Sequence, residues 1–192
     1  MTQSQSAYFL SDAIHAERRH TLAVLVDNEP GVLARIAGMF SGRGYNIESL
    51  TVSETEHEKH VSRITIVTTG TEKVIEQIKT QLDRLVPVHR VVDLTVQGEA
   101  LERELCLVKV RGKGDARVEA LRLAGAFGAR TLDATLNSFV FELTGTTEEV
   151  ERFIRLMGVV GLVEVSRTGI AAMSRGAEGM QEAALPDGAQ GR

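Results

Sequence analysis

The chain has 192 residues, of which 43% are hydrophobic and 25% charged, and its formal net charge is −4. These values are typical of a globular protein of one or two domains, and they exclude the basic surface that a nucleic-acid partner requires. Aromatic residues make up only 4%, and the single cysteine, Cys106, excludes an internal disulfide and a cysteine-rich metal site.

Residues 1–19 are predicted to form a flexible extension. They are rich in Ser and Gln, and the charges of Arg18 and Arg19 follow the short apolar patch, whereas a secretory signal carries its charges first. Asp12 and Glu17 argue against a transit peptide. Because no apolar run reaches the roughly 20 residues of a membrane span, we expect no membrane contact. The single cysteine favours a reducing compartment, and we expect a cytoplasmic location.

Residues 20–97 follow the order βαββαβ, which is the ferredoxin-like arrangement. The predicted strands are Thr21–Val26, Tyr45–Ser53, Val61–Thr68 and Val88–Val96. Apolar residues at helical spacing predict two helices, with Leu33, Ile36, Ala37 and Phe40 on the first apolar face and Val74, Ile75, Ile78 and Leu82 on the second. A polar hairpin tip is predicted at residues 54–59.

Several residues predict where these helices begin and end. Pro30 suits the first position of the first helix, and Gly42 and Gly44 suit its end. Thr69 and Glu72 have the spacing of a capping box before the second helix.

The same order repeats over residues 104–175, after a polar linker at residues 97–103. The predicted strands are Leu105–Val110, Thr131–Leu136, Phe139–Leu143 and Leu162–Ser166. The apolar helical faces are Val118, Leu121 and Ala124, then Val150, Phe153, Ile154 and Met157, and Thr146 with Glu149 predicts a second capping box. Residues 176–192 lack periodicity and predict a disordered tail.

The predicted fold class is therefore α+β, with two ferredoxin-like βαββαβ domains. Each copy has about 75 residues, a size at which one hydrophobic core is only marginally stable. A ferredoxin-like sheet also has open edges, which invite pairing with other strands. We therefore expect an obligate oligomer in the form of a homodimer.

The internal repeat allows the two copies to be compared without an alignment of relatives. When Gly44 is placed on Gly128, an offset of about 84, Asn28 meets Gly112 and Asn46 meets Arg130. At the same offset Gly31 meets Asp115 and so has no glycine counterpart. A residue needed only for folding should tend to recur in both copies, so the comparison favours a ligand role for the first copy.

Asn28, Gly31 and Asn46 are expected to lie together at the mouth of the first helix. Free N–H groups and a partial positive charge at a helix N-terminus suit a carboxylate, and glycine lets a ligand approach the backbone. Asn offers a donor and an acceptor to an amino-acid ligand. The small apolar neighbours that could hold a branched side chain are Val32, Leu33 and Ile47.

Each of these residues also has a purely structural alternative. Asn28 could be a cap or turn residue, and Gly31 could simply ease the turn into the helix. Asn46 could be a helix-exit residue in the left-handed region. Elsewhere, His57 and His60 stand beside Glu56 and Glu58, but a solvated hairpin tip is favoured over a metal site.

Two runs of sequence identify a family. Residues 25–33, Leu-Val-Asp-Asn-Glu-Pro-Gly-Val-Leu, and residues 40–52, which contain Gly-Tyr-Asn-Ile-Glu-Ser-Leu, resemble the small regulatory subunits of acetohydroxyacid synthase, also called acetolactate synthase. Residues 163–169 and 174–176 are also similar to this family. The resemblance covers residues 20–176, and its first half is the more specific part.

The resemblance implies an N-terminal ACT domain, a C-terminal ACT-like domain, and a homodimer that binds valine between its two N-terminal ACT domains. It implies a non-catalytic subunit of branched-chain amino acid biosynthesis that stimulates a separate catalytic subunit and makes it sensitive to feedback by valine, leucine or isoleucine. Thiamine diphosphate, Mg²⁺ and FAD would belong to that catalytic subunit. The family's valine-site residues match Asn28, Gly31 and Asn46, with Val32, Leu33 and Ile47 nearby.

Three other functions are weighed against this one. A different ACT-type amino-acid sensor without a synthase partner would share the same site. An RNA-binding ferredoxin-like module would expose aromatic residues on its central strands, where the first copy offers only Tyr45. A stand-alone enzyme would need a nucleophile and base, and no convincing set is present.

Overall fold

The computed structural model describes residues 16–56, 60–96, 100–177 and 179–180. The chain forms two compact units: the first comprises residues 1–101 and 172–192, and the second comprises residues 102–171. Most of the predicted N-terminal extension, most of the predicted tail, and the hairpin tip at residues 57–59 with His57 lie outside the described residues.

The first unit has the predicted order of strands and helices. Its elements are β1 (Arg18–Asp27), α1 (Val32–Gly42), β2 (Ser49–Glu56), β3 (Val61–Gly70), α2 (Glu72–Asp83) and β4 (Val88–Asp93). The strands form an antiparallel sheet in the order β2-β3-β1-β4. Because β1 and β2 both run antiparallel to β3, they are parallel to each other, and α1 must return along the sheet between them.

The second unit repeats this topology. Its elements are β5 (Leu101–Arg111), α3 (Asp115–Ala126), β6 (Arg130–Ala134), β7 (Ser138–Gly145), α4 (Thr147–Val160) and β8 (Leu162–Arg167). The strand order is β6-β7-β5-β8, and a short strand absent from the sequence prediction, β9 (Ala171–Met173), pairs with β5. The predicted fold class, α+β with two ferredoxin-like βαββαβ domains, is confirmed.

In the first unit, both helices pack on one face of the sheet. Alternate strand residues point toward them, so that the buried core consists of Leu22, Val24, Val26, Ile64 and Ile66 from the sheet and Val32, Ile36, Phe40, Ile75, Ile78 and Leu82 from the helices. Both predicted helical faces are therefore largely confirmed. Leu33 is the exception, because its side chain is exposed.

In the second unit, the predicted apolar face of α3 is confirmed for Ala124 and wrong for Val118 and Leu121. Val118 is 65% exposed and Leu121 is 44% exposed, whereas Ala120 and Ala124 are buried. The other core side chains explain the difference, because three phenylalanines fill the space between sheet and helices: Phe139, Phe141 and Phe153. The small side chains of Ala120 and Ala124 face them, and Leu123 of α3 is partly buried against the same core.

Of the three helix starts that the sequence predicted, the structure confirms only the one before α4. Pro30 precedes α1 rather than beginning it, because the N-cap is Gly31. Thr69 lies in β3, and its hydroxyl donates to Glu48 Oε1 at 2.5 Å, so the predicted capping box there is wrong. The N-cap of α2 is Thr71, whose Oγ1 accepts from the Val74 N–H at 3.4 Å.

The predicted capping box before α4 is confirmed. The Thr146 N–H donates to Glu149 Oε2 at 2.8 Å, and the Glu149 N–H donates to Thr146 Oγ1 at 3.3 Å. These reciprocal bonds satisfy two backbone donors that would otherwise lack a partner at the helix end.

Several strand boundaries differ from their predicted positions. Residues 45–48 lead into β2 rather than forming its first half, and β2 continues to Glu56, which the prediction placed in the hairpin tip. The strand β4 ends at Asp93, where the carboxylate accepts from the Thr95 N–H at 2.9 Å and turns the chain. The strand β5 begins at Leu101, inside the predicted linker.

Candidate functional site

Asn28 follows directly on β1 and is held by main-chain bonds on both sides. Its N–H donates to the His60 carbonyl at 2.6 Å, and the preceding Asp27 N–H donates to the Pro87 carbonyl at 2.9 Å. These bonds fix the Asn28 backbone to the starts of β3 and β4. The residue itself is exposed, so its amide side chain faces the space outside the unit.

Gly31 is the N-cap of α1 and adopts a left-handed conformation, with φ of 88° and ψ of −6°. Non-glycine side chains rarely adopt this conformation, which accounts for the glycine. A Cβ at Gly31 would meet no atom within 4 Å, so the space in front of the helix is open. The first turn of α1 is therefore accessible to a small molecule.

The beginning of α1 is also electrostatically unusual within this chain. The starts of α2 and α4 carry threonine caps and acidic residues, and α3 has Asp115 in its first turn. Among the helices of the described ranges, α1 alone has neither a side-chain cap nor an acidic residue there. The first turn of α1 therefore carries no acidic side chain that would offset the positive end of the helix dipole, which makes this end suited to a carboxylate.

Asn46 lies beyond the other end of α1, after the turn at Gly44. Its carbonyl accepts a hydrogen bond from Thr68 Oγ1 at 2.7 Å, and its side chain is exposed. Its φ is not positive, since His60 is the sole non-glycine residue with positive φ in the described part of the chain. The left-handed helix-exit alternative for Asn46 is therefore excluded.

The structure separates Asn46 from the other two predicted ligand residues. Asn28 bonds to His60, directly before β3, whereas Asn46 bonds to Thr68, eight residues after His60. At about 3.3 Å per residue, this corresponds to roughly 26 Å. The expectation of one shared mouth within a single chain is wrong, because α1 runs back along the sheet between the two asparagines.

The three apolar candidates are divided between these two ends. Leu33 is exposed in the first turn of α1, next to Gly31, whereas Val32 is buried in the core of the first unit. Ile47 is half-buried and packs against that core at the Asn46 end. One end therefore presents Asn28, Gly31 and Leu33, and the other presents Asn46 beside Ile47.

The second unit shows which of these features belong to the shared scaffold. The N-cap of α3 is Gly114, also with positive φ, at 56°, and also without a side-chain cap. When Gly44 is placed on Gly128, α3 begins one position earlier than α1, because α3 has 12 residues and α1 has 11. Gly31 therefore corresponds to Gly114 and not to Asp115. The positive φ at this position is thus a property of the fold.

The main-chain bond at Asn28 also belongs to the scaffold. In the second unit the Gly112 N–H donates to the Asn137 carbonyl at 3.0 Å, as the Asn28 N–H does to His60. The asparagine side chains, however, have no counterpart, since Gly112 and Arg130 occupy those positions. What distinguishes the first unit is the pair of asparagine amides together with the uncharged helix start.

The sequence prediction missed two residues that position the candidate site. His60 holds the Asn28 backbone from a positive φ of 52°, a conformation that its residue type does not suggest. Thr68 holds the Asn46 backbone. A periodic apolar pattern identifies β3 but cannot show that one of its threonines bonds to a segment 22 residues earlier.

Other candidate chemistry finds little support in the described residues. No group of three His, Cys, Asp or Glu side chains could hold a metal ion within the described ranges. Cys106 is buried in the core of the second unit, and burial raises the pKa of its thiol, as expected for a small hydrophobic residue in a strand. None of the helices in these ranges combines the length and apolar character of a membrane-spanning segment.

The second unit contains an open cavity of about 410 Å³ lined partly by Phe127, Glu149 and Arg152. Its charged groups are already engaged: Glu149 accepts from the Thr146 backbone, and Arg152 donates to Glu148 at 3.2 Å. The start of α1 has no side-chain cap and no acidic residue in its first turn, which makes it the stronger candidate site.

Comparison with known proteins relates both units to one family. Residues 22–90 match the family model described as "AHAS small subunit-like ACT domain". Residues 103–176 match the family model described as "Small subunit of acetolactate synthase".

Individual relatives agree with these matches over most of the chain. A probable acetolactate synthase small subunit from Archaeoglobus fulgidus is 48% identical over 158 residues, which cover 82% of this chain and 98% of that protein. The acetolactate synthase isozyme 3 small subunit of Escherichia coli is 45% identical, with 82% and 96% covered. The crystal structure of the acetolactate synthase small subunit from Thermotoga maritima superposes with a TM-score of 0.77 at 38% identity, covering 84% of this chain and 99% of that one.

Proposed function

The chain belongs to the acetolactate synthase small-subunit family, and from this premise we propose that it is the amino-acid sensor of that enzyme. In this proposal it binds valine, stimulates the catalytic subunit, and confers feedback inhibition on branched-chain amino acid biosynthesis. The chemistry, with thiamine diphosphate, Mg²⁺ and FAD, belongs to the catalytic subunit. The single cysteine fits a cytoplasmic, reducing location.

The observation that carries the proposal is the bare start of α1. The ligand's carboxylate would accept hydrogen bonds from the free N–H groups of the first turn, next to Gly31. The side-chain carbonyl of Asn28 would accept from the ligand's ammonium group, while Leu33 offers an exposed apolar surface to a branched side chain. These groups lie within one short segment and match the three parts of a branched-chain amino acid.

A complete site on this proposal requires two chains. The roughly 26 Å between His60 and Thr68, which hold Asn28 and Asn46, far exceeds the approximately 3.6 Å length of one extended residue. A homodimer with antiparallel α1 helices would place Asn28 and Gly31 of one protomer opposite the partner subunit's Asn46. Two-fold symmetry then generates two equivalent valine sites.

Regulation would follow from differential binding. Valine must bind one state of the holoenzyme better than another, because a ligand with equal affinity for both states shifts neither. A coupling free energy of about 1–3 kcal/mol would make the affinity for valine differ by about 5- to 150-fold between the two states.

The proposal is tested by calorimetric titration of the full chain with valine, leucine and isoleucine, together with reconstitution of the catalytic subunit. Asn28→Ala removes an amide, and Gly31→Asp places a carboxylate against that of the ligand. We expect both variants to lose valine inhibition yet to retain stimulation of the catalytic subunit.

A matched control separates the ligand effect from backbone strain. Gly114→Asp introduces the same side chain at the equivalent N-cap of the second unit, where φ is also positive and a Cβ also has open space. This variant should keep valine inhibition. Inhibition retained by both Asn28→Ala and Gly31→Asp, or no heat from any of the three amino acids, would contradict the proposal.

Copurification decides between this function and the nearest alternative. A chain that binds valine but neither copurifies with nor stimulates a thiamine-dependent catalytic subunit would be an ACT-type sensor of another kind.

A further inference from the structure

The sheet of the first unit is buried on both of its faces. Helices α1 and α2 cover the face that carries Val24 and Val26, so the alternate residues of β1, Ala23 and Leu25, point to the opposite face. Both are buried, as is Val67 on β3. We call this the second face of the first unit.

A row of three residues crosses the second face. Leu25 on β1 pairs with Arg63 on β3 and with Arg90 on β4, so two arginines flank one leucine. With about 4.8 Å between neighbouring strands, the two arginine backbones lie roughly 10 Å apart.

Both arginines hold the C-terminal segment of the same unit. Arg63 Nη2 donates to the Ala172 carbonyl at 2.6 Å, and Arg90 Nη1 donates to the Met180 carbonyl at 2.5 Å. We call the described residues between Ala172 and Met180 the C-terminal strap. Burial lowers the pKa of the Arg63 guanidinium, so this cation depends on its hydrogen bond to Ala172 in place of water.

The same arginines stand close in sequence to the residues that hold Asn28. Arg63 is three residues after His60, whose carbonyl accepts from the Asn28 N–H. Arg90 is three residues after Pro87, whose carbonyl accepts from the Asp27 N–H. The loop at the end of β1 is therefore bonded to the starts of both β3 and β4, the strands that carry Arg63 and Arg90.

We infer that the C-terminal strap is a latch whose closure is coupled to amino-acid binding at Asn28 and Gly31, an inference that rests on the proposed function. A bound amino acid fixes the loop from Asn28 to Gly31, and this loop fixes the strand starts at His60 and Pro87. These starts set the positions of Arg63 and Arg90, so the occupied site and the closed strap favour each other. Coupling between two sites is reciprocal. The factor by which a bound amino acid favours the closed strap is therefore also the factor by which releasing the strap weakens amino-acid binding.

The first test measures valine affinity by calorimetry on the full chain and on the variant Arg63→Gln/Arg90→Gln. Glutamine is polar, but it is shorter than arginine and uncharged, so it cannot make the same hydrogen bonds to the two carbonyls. We expect the dissociation constant for valine to rise at least about 5-fold, the lower end of common coupling factors. Arg84→Gln is the matched control, because Arg84 is an exposed arginine at the end of α2, away from the strap, and it should leave the affinity unchanged.

A second variant leaves the sheet untouched. Ending the chain after Met173 removes the acceptor of Arg90 and keeps that of Arg63, so valine affinity should fall by less than in the double variant. Hydrogen exchange provides an independent reading: amides of residues 172–177 should exchange more slowly when valine is added to the full chain, and this slowing should vanish in the double variant.

The outcomes separate the two proposals. If the full chain binds valine and the double and truncated variants bind it with the same affinity as the full chain, the latch is overturned and the sensor function stands. Strap exchange that is indifferent to valine also overturns the latch. A full chain that binds none of the three amino acids overturns both proposals.

Discussion

Asn28 and Asn46 lie at opposite ends of α1, and each is anchored to a different end of β3. His60 holds the backbone of Asn28, and Thr68 holds that of Asn46. Two residues that the sequence separates by only 18 positions are thus separated in the fold by the length of a strand. If both contact one ligand, they must come from different chains.

This separation predicts complementation between two defective variants. In the homodimer proposed above, a heterodimer of an Asn28→Ala chain with an Asn46→Ala chain would contain one site that lacks both asparagines and one site that is intact. Calorimetry on purified heterodimer should therefore find half the valine sites of the unmodified homodimer, with the affinity of the intact site preserved.

The two mutant homodimers serve as controls for this experiment, since each should bind valine weakly or not at all. A heterodimer that shows no binding would place both asparagines at a site within one chain, contrary to the predicted arrangement.

Gly158 inside α4 and Gly161 at its C-cap should respond in opposite ways to replacement by alanine. A Cβ at Gly161 would lie 2.1 Å from the Arg111 carbonyl oxygen, and its φ of 112° disfavours any side chain, so Gly161→Ala should lower the free energy of unfolding by at least about 3 kcal/mol. Gly158 lies inside the helix with open space around it, so Gly158→Ala should raise it by about 0.5–1 kcal/mol. Urea denaturation measures both, and equal responses would contradict the predicted contact.

Glu104 and Arg167 form an ion pair, and removing one partner should lower the free energy of unfolding more than removing both. The Glu104 side chain is only 2% exposed, while that of Arg167 is 36% exposed, and two guanidinium nitrogens donate to the carboxylate at 3.1 and 2.5 Å. Arg167→Met leaves a buried carboxylate without its partner and should cost about 3 kcal/mol of unfolding free energy.

Replacing both partners should restore much of that loss. The double variant Glu104→Met/Arg167→Met removes the stranded charge, so its unfolding free energy should exceed that of Arg167→Met alone. A double variant as unstable as the sum of the two single variants would show that the charges are not coupled.

The capping box of α4 predicts a specific pH dependence. The Thr146 N–H lowers the pKa of Glu149 below its ordinary 4.5, so the stability that this bond adds is present above pH 4.5 and is lost as the pH falls through the folded-state pKa. The difference in urea midpoint between the unmodified protein and Glu149→Gln should be constant near neutral pH and shrink in acid. A difference that persists in acid would show that ionised Glu149 is not its source.

Local patterns were enough to predict much of the fold. The order of elements, the apolar faces of α1, α2 and α4, and the capping box at Thr146 all depend on residues near one another in sequence. They were predictable because helical and strand periodicity report directly on which side of an element is buried.

The errors share a different cause, which is dependence on distant parts of the chain. Val118 and Leu121 are apolar and helically spaced, yet the side of α3 that packs against the phenylalanines of β7 and α4 carries Ala120, Leu123 and Ala124. The position of Asn46 relative to Asn28 depends on the parallel orientation of β1 and β2, which the pairing of both with β3 decides. No pattern within the segment from Asn28 to Asn46 contains that information.

The bare start of α1 also bears on how long the subunit survives. A glycine N-cap forgoes a few tenths of a kcal/mol, roughly, relative to a capping side chain, and a bound carboxylate would supply the missing negative group. A ligand that binds only the folded state stabilises it by about 2.7 kcal/mol at one hundred times its dissociation constant. The amino acid would then act as a removable cap, and the subunit's resistance to unfolding and proteolysis would rise and fall with the supply of the end product.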